Sequence, residues 1–105
     1  MAWVLLVVAG LLEVVWAFTM KLSEGFSRPV SSIITIVAMI ASVALLAMSM
    51  RTLPLGTAYT VWTGIGAVGA FALGIVDLGE PANLPRVIAA VLIVSGIVVM
   101  KVSTA

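Results

Sequence analysis

The sequence contains neither cysteine nor histidine. Without cysteine there can be no disulfide, thiolate metal site or thiol nucleophile, and without histidine the commonest general base and metal ligand is missing. Hydrolytic and metal-dependent catalysis are therefore not expected. The chain reads as a non-enzyme with no cofactor and no metal, and no nucleic acid is expected among its partners. Charge is scarce too: Asp, Glu, Lys and Arg make up 9% of the 105 residues, with a formal net charge of +1.

Apolar residues fill the space that charge leaves. They form 64% of the chain, and the mean hydropathy is +1.37, far outside the makeup of a soluble domain. A bilayer core about 30 Å thick needs about 20 apolar residues per helix, so four spans with tight connections use nearly the whole chain. The expected fold is an all-α membrane protein, a single four-helix domain over residues 1–105. Its helices are placed at about 2–20, 30–50, 57–76 and 86–102. The polar cluster from Lys21 to Pro29, the Arg51 to Gly56 segment and the Asp77 to Pro85 segment punctuate the spans. The first run has no basic segment ahead of it and carries Glu13 inside it. A cleaved signal peptide therefore fits poorly, and Met1 to Ala105 is expected to be the mature chain.

Loop charge is nearly symmetric. Lys21, Arg28 and Arg86 fall on one side of the membrane; Arg51, Lys101 and the terminal amine fall on the other. The positive-inside bias that normally sets orientation is close to zero. Short loops that hold few charges by chance would look the same. The alternative is a dual-topology antiparallel homodimer, an inverted-repeat architecture built from two copies of one chain. Eight helices enclose a solute pathway more readily than four.

One acid lies deep in a span. Glu13 is about eleven residues into the first helix, some 16 Å deep at about 1.5 Å per residue. An unpaired charge there costs about 2.5–3.5 kcal/mol on insertion scales. No Lys or Arg lies in the interior of any span to neutralise it. A permanently protonated Glu acting as a neutral hydrogen bonder is one reading. The functional reading is a carboxyl that alternately holds a proton and a cation, and that competition, joined to alternating access, is enough for an antiporter.

Helical spacing sets Ala9, Gly10, Trp16 and Ala17 around Glu13. Trp16 lies too deep for the interfacial aromatic belt, whereas Trp3 is ordinary belt material. In the third span Tyr59, Trp62, Thr63, Gly66, Ala70 and Gly74 share a stripe. In the second, Thr35, Met39, Ser42 and Ser49 share a face; a lone membrane serine usually bonds back to its own helix. Gly64 and Gly66 offer a hinge in the third span, with close packing an equal explanation. Ala89 and Gly96 mark a small-residue face on the fourth span for dimer contact.

Taken together, several segments resemble the small multidrug resistance family over essentially the full chain. They are Ala9-Gly10-Leu11-Leu12-Glu13-Val14-Val15-Trp16, Gly25-Phe26-Ser27-Arg28, Leu53 through Gly66 and Leu78-Gly79-Glu80. The Glu-Val-Val-Trp form is similar to the guanidinium-exporter branch; the polyaromatic-drug branch usually has a small residue where this chain has Trp16. The resemblance implies an antiparallel homodimer in the bacterial inner membrane that exchanges protons for guanidinium. It implies further that Glu13 binds both ions, that Trp16 and Ser42 orient it by hydrogen bonds, and that Tyr59 and Trp62 line the site. Gly10, Met39 and Thr63 are expected to line the pocket. Competing readings are a broader exporter of quaternary ammonium cations, a dual-topology ion channel, and a membrane subunit that transports nothing without a partner chain.

Overall fold

Four helices account for nearly all of the chain in the computed structural model, which describes residues 1–103. They are α1 (Ala2–Leu22), α2 (Pro29–Ser49), α3 (Leu55–Leu78) and α4 (Leu84–Ser103). All four are long and apolar enough to cross a membrane, and the chain is a multi-pass membrane protein of all-helical fold. At about 1.5 Å per residue they are 30–36 Å long, which matches the hydrocarbon thickness.

The observed ends differ from the expected ones by up to two residues, for local reasons. Pro29 occupies the first helical turn of α2, where its missing N–H is one that no helix would use. Pro54 likewise sits as the N-cap of α3 in extended conformation, so that helix starts at Leu55. At its other end α3 continues through Asp77 and Leu78 and stops at Gly79, whose φ of 69° is left-handed and favours glycine. Helix α4 begins at Leu84 because Asn83 caps it. The Asn83 Oδ1 accepts a hydrogen bond from the Arg86 backbone N–H at 3.1 Å.

Between α1 and α2 the chain turns through three successive left-handed residues, Glu24, Gly25 and Phe26. Buried Ser23 secures this turn. Its hydroxyl donates to the Met20 carbonyl and accepts from the Phe26 N–H, while Arg28 and Glu24 form an exposed ion pair at 3.2 Å.

Helix α1 is central: it packs along both α2 and α3, whereas α2 and α3 scarcely touch and α4 packs mainly on α3. The molecule is a slab of 42 × 34 × 16 Å. Leu6, Ala9, Leu46, Ala58 and Val61 form its buried apolar cluster. The buried polar residues are Ser23, Thr35, Ser42, Ser49 and Thr57, nearly as many as the buried apolar ones. Lipid tails are as apolar as leucine, so burial of apolar surface does little to join helices here; small residues and hydrogen bonds do it instead. Gly10 lies under Ile65, Gly64 under Ile97 and Gly69 under Val14, each so close that a Cβ would collide. No described residue of α4 is buried.

The Asn83 cap gives the first test. Asn83→Ala should lower stability by about 1 kcal/mol, and Asn83→Asp should retain it. Thermal unfolding of the detergent-solubilised protein, followed by circular dichroism, checks both.

Candidate functional site

Glu13 is the twelfth of the 21 residues of α1, so it lies at mid-membrane if α1 spans symmetrically. Its side chain rests directly on the backbone of α3. A Cβ added to Gly66 would collide with the carboxyl group. Gly66 thus gives the acid its space, and the Ile65 side chain over Gly10 locks the same two helices together one turn earlier on α1.

Two buried side-chain polar atoms among the described residues have no hydrogen-bond partner: Glu13 Oε1 and Trp16 Nε1. One is an acceptor and the other a donor, three residues apart on α1 and so on neighbouring positions of one face. A buried unpaired polar atom costs about 1–3 kcal/mol. Two of them side by side mark a place where polar chemistry is held ready, since natural structures leave few such atoms unmatched.

Ser42 is buried at the junction of α1, α2 and α3. Its hydroxyl donates to the Ala9 carbonyl at 2.7 Å and accepts from Trp62 Nε1 at 3.0 Å. One hydroxyl therefore ties three helices. The resemblance implied that Ser42 orients Glu13 directly; its hydrogen bonds run instead to α1 backbone and to Trp62. The expectation of a bond within its own helix also does not describe it, although Ser49 does bond back, to Leu46, and Thr35 to Ser31. Thr35 further meets Thr19 across the α1/α2 contact at 2.6 Å.

The aromatic residues form a pair. Tyr59 and Trp62 have ring centroids 5.6 Å apart and planes tilted by 48°. Trp62 is half-buried and held by Ser42, while Tyr59 is 52% exposed. Met39 is half-buried on α2. Thr63 is exposed and lines, with Tyr59, Gly64, Gly96 and Met100, a cavity of about 480 Å³ between α3 and α4. The third-span stripe therefore divides: Gly66 meets α1 at Glu13, while Tyr59 and Thr63 face the α3/α4 groove. Helix α3 runs unbroken through Gly64 and Gly66, and close packing against Ile97 and Glu13 accounts for both glycines. Ala89 and Gly96 lie on exposed α4. Trp3, expected to be a plain belt residue, has the Lys101 ammonium 5.1 Å from its ring centroid, which links the two chain ends on one membrane face.

Sequence reasoning passed over the Glu13 contact with Gly66 as a contact, and the Ala9 carbonyl as an acceptor. A small residue at mid-span in α3 was visible, but its partner depends on helix register.

The model for the Small Multidrug Resistance protein family matches residues 1–103. A guanidinium exporter of Yersinia pseudotuberculosis serotype I (strain IP32953) is 61% identical over 99% of this chain and 100% of its own length. A guanidinium exporter of Escherichia coli (strain K12) is 61% identical over 99% of both chains, and one from Citrobacter freundii is 59% identical over the same shares.

Gly66→Ala should destabilise the protein by about 1–3 kcal/mol through overpacking against the Glu13 carboxyl. Gly56→Ala, where a Cβ meets nothing within 4 Å, should be neutral or stabilising by up to about 1 kcal/mol. Thermal unfolding in detergent separates the two.

Proposed function

The chain belongs to the small multidrug resistance family, and from that premise we propose that it exports guanidinium across the bacterial inner membrane in exchange for protons, as an antiparallel homodimer. The observation that carries this reading is Glu13: an acid at mid-helix, set on Gly66, with Oε1 unpartnered and the Trp16 donor beside it.

The coupling follows from electrostatics. An ionised carboxyl in hydrocarbon is costly, by about 2.5–3.5 kcal/mol or more. Either a bound proton or a bound guanidinium removes that net charge. A site that changes its exposure only when neutral therefore crosses loaded with one ion or the other, and each passage of guanidinium outward is matched by return of the carboxyl in its protonated form. No nucleotide or metal enters this cycle.

Selectivity follows from shape. Guanidinium is planar and permanently charged, presents paired N–H donors to a carboxylate, and stacks on aromatic faces. Trp16 narrows the space on the Glu13 face and thus disfavours bulky quaternary ammonium ions. Trp62, clamped by Ser42 and packed against Tyr59, supplies a further ring surface. The named guanidinium exporters with 61% identity support the same substrate.

Antiparallel pairing fits the three-against-three balance of positive charge across the two faces. Helix α4, with Ala89 and Gly96 on it and no buried residue among those described, supplies the contact surface.

Reconstituted in liposomes, the protein should take up guanidinium, with saturation, when an outward proton gradient is imposed. Glu13→Gln should abolish the uptake. Guanidinium conduction that persists in Glu13→Gln would instead identify a channel, and equal transport of tetraethylammonium would identify the broader exporter. Single cysteines placed at opposite ends of the helices should cross-link between protomers; cross-links from same-facing pairs alone would rule out the antiparallel pair.

A further inference from the structure

Glu13 is not the only carboxyl that rests on a glycine of α3. Beyond the left-handed Gly79, the chain reverses and the Glu80 N–H donates to the Gly74 carbonyl at 2.9 Å. The reversal brings the Glu80 side chain back over the helix. A Cβ added to Gly74 would lie 2.5 Å from Glu80 Oε1 and 3.0 Å from its carboxyl carbon. Gly66, Ala70 and Gly74 follow one another at four-residue steps, so the two carboxyls are separated by about 12 Å of rise along α3.

Part of the space between them is open. A cavity of about 310 Å³ is lined by Ala17, Lys21, Ala70, Phe71, Gly74 and Glu80, among others, but not by Glu13 or Gly66. Ala17 is one turn beyond Glu13 on α1, and Ala70 one turn beyond Gly66 on α3. The cavity thus starts one turn from the buried site and ends at Glu80 on the membrane surface. Glu24, the other loop glutamate, is paired with Arg28. Glu80 has no ion-pair partner among the described residues.

Carboxylate and aromatic ring in one cavity are the two groups that a small planar cation recognises, one by paired hydrogen bonds and the other by stacking. We propose that Glu80 and Phe71 form an outer subsite for guanidinium, one that the ion occupies before it reaches Glu13. This inference rests on the exporter reading above. Lys21, in the same cavity, adds a positive charge that keeps the subsite shallow, so an ion held there is readily passed on. Glu80 raises the local concentration of cation at the subsite, while the exchange with protons stays at Glu13. In an antiparallel pair each membrane face carries one such subsite.

The test is the concentration dependence of guanidinium uptake into proteoliposomes under an outward proton gradient, with wild type and Glu13→Gln measured first. Glu80→Gln should raise KM about fivefold, the size of one exposed ion pair, with the maximal rate near that of wild type. Glu80→Asp, which keeps the charge, should retain a KM close to wild type. Lys21→Met should lower KM. If Glu80→Gln fails to assemble, Lys21→Met decides alone: a lowered KM supports the subsite, and an unchanged or raised KM overturns it. An unaltered KM in Glu80→Gln overturns it as well, as does an equal rise in Glu80→Gln and Glu80→Asp, which would mark a packing role. These failures are distinct from failure of the exporter reading, in which wild type itself gives no saturable proton-driven guanidinium uptake.

Discussion

Glu13 lies on the α3 backbone at Gly66, half-way along α1, and its Oε1 has no hydrogen-bond partner among the described residues. The surrounding structure answers to that carboxyl. Gly10, Ala17 and Gly66 around it are small and leave it room. It is held in place although no hydrogen bond to its Oε1 is present among the described residues. The α1/α3 contact does this through steric fit, with Ile65 seated over Gly10 and Val14 over Gly69. Helix packing in a bilayer relies on such close approaches, since burial of apolar surface contributes little there.

Ser42 is the complementary device. By joining the Ala9 carbonyl and the Trp62 indole, it sets the rotation of α2 against α1 and fixes the Trp62 ring. Its effect on the acid is indirect, through the positions of α1 and Trp62. The rest of the α1/α2 contact is built the same way, with Thr19 meeting Thr35. Polar pairs therefore govern the buried seam, while apolar side chains such as Val37, Ile40 and Val91 cover the exterior. This reverses the arrangement of a soluble protein.

The four spans were legible in composition and in the spacing of loop residues, because a run of about 20 apolar residues has few other uses. Their ends were less so. Pro54 and Pro29 read as breakers, yet a helix accepts proline at its start, and α2 and α3 begin at or next to these residues. Asp77 read as loop because it is charged, but helix α3 continues past it until Gly79 permits the left-handed turn. At the site, Glu13 stood out since its cost in hydrocarbon is intrinsic to the residue. The partners of Ser42 did not, because they depend on which helices are neighbours and in what register. The same holds for Glu80: nothing local in Leu78-Gly79-Glu80 says that the chain folds back over Gly74.

The central claim is that one carboxyl holds either a proton or guanidinium, never both. The most direct measurement is proton release when guanidinium is added to the purified protein in weakly buffered detergent solution. At a pH where Glu13 is protonated, the account predicts that saturating guanidinium releases protons from the wild type and none from Glu13→Gln. Guanidinium binding to the wild type with no proton released at any pH would contradict it.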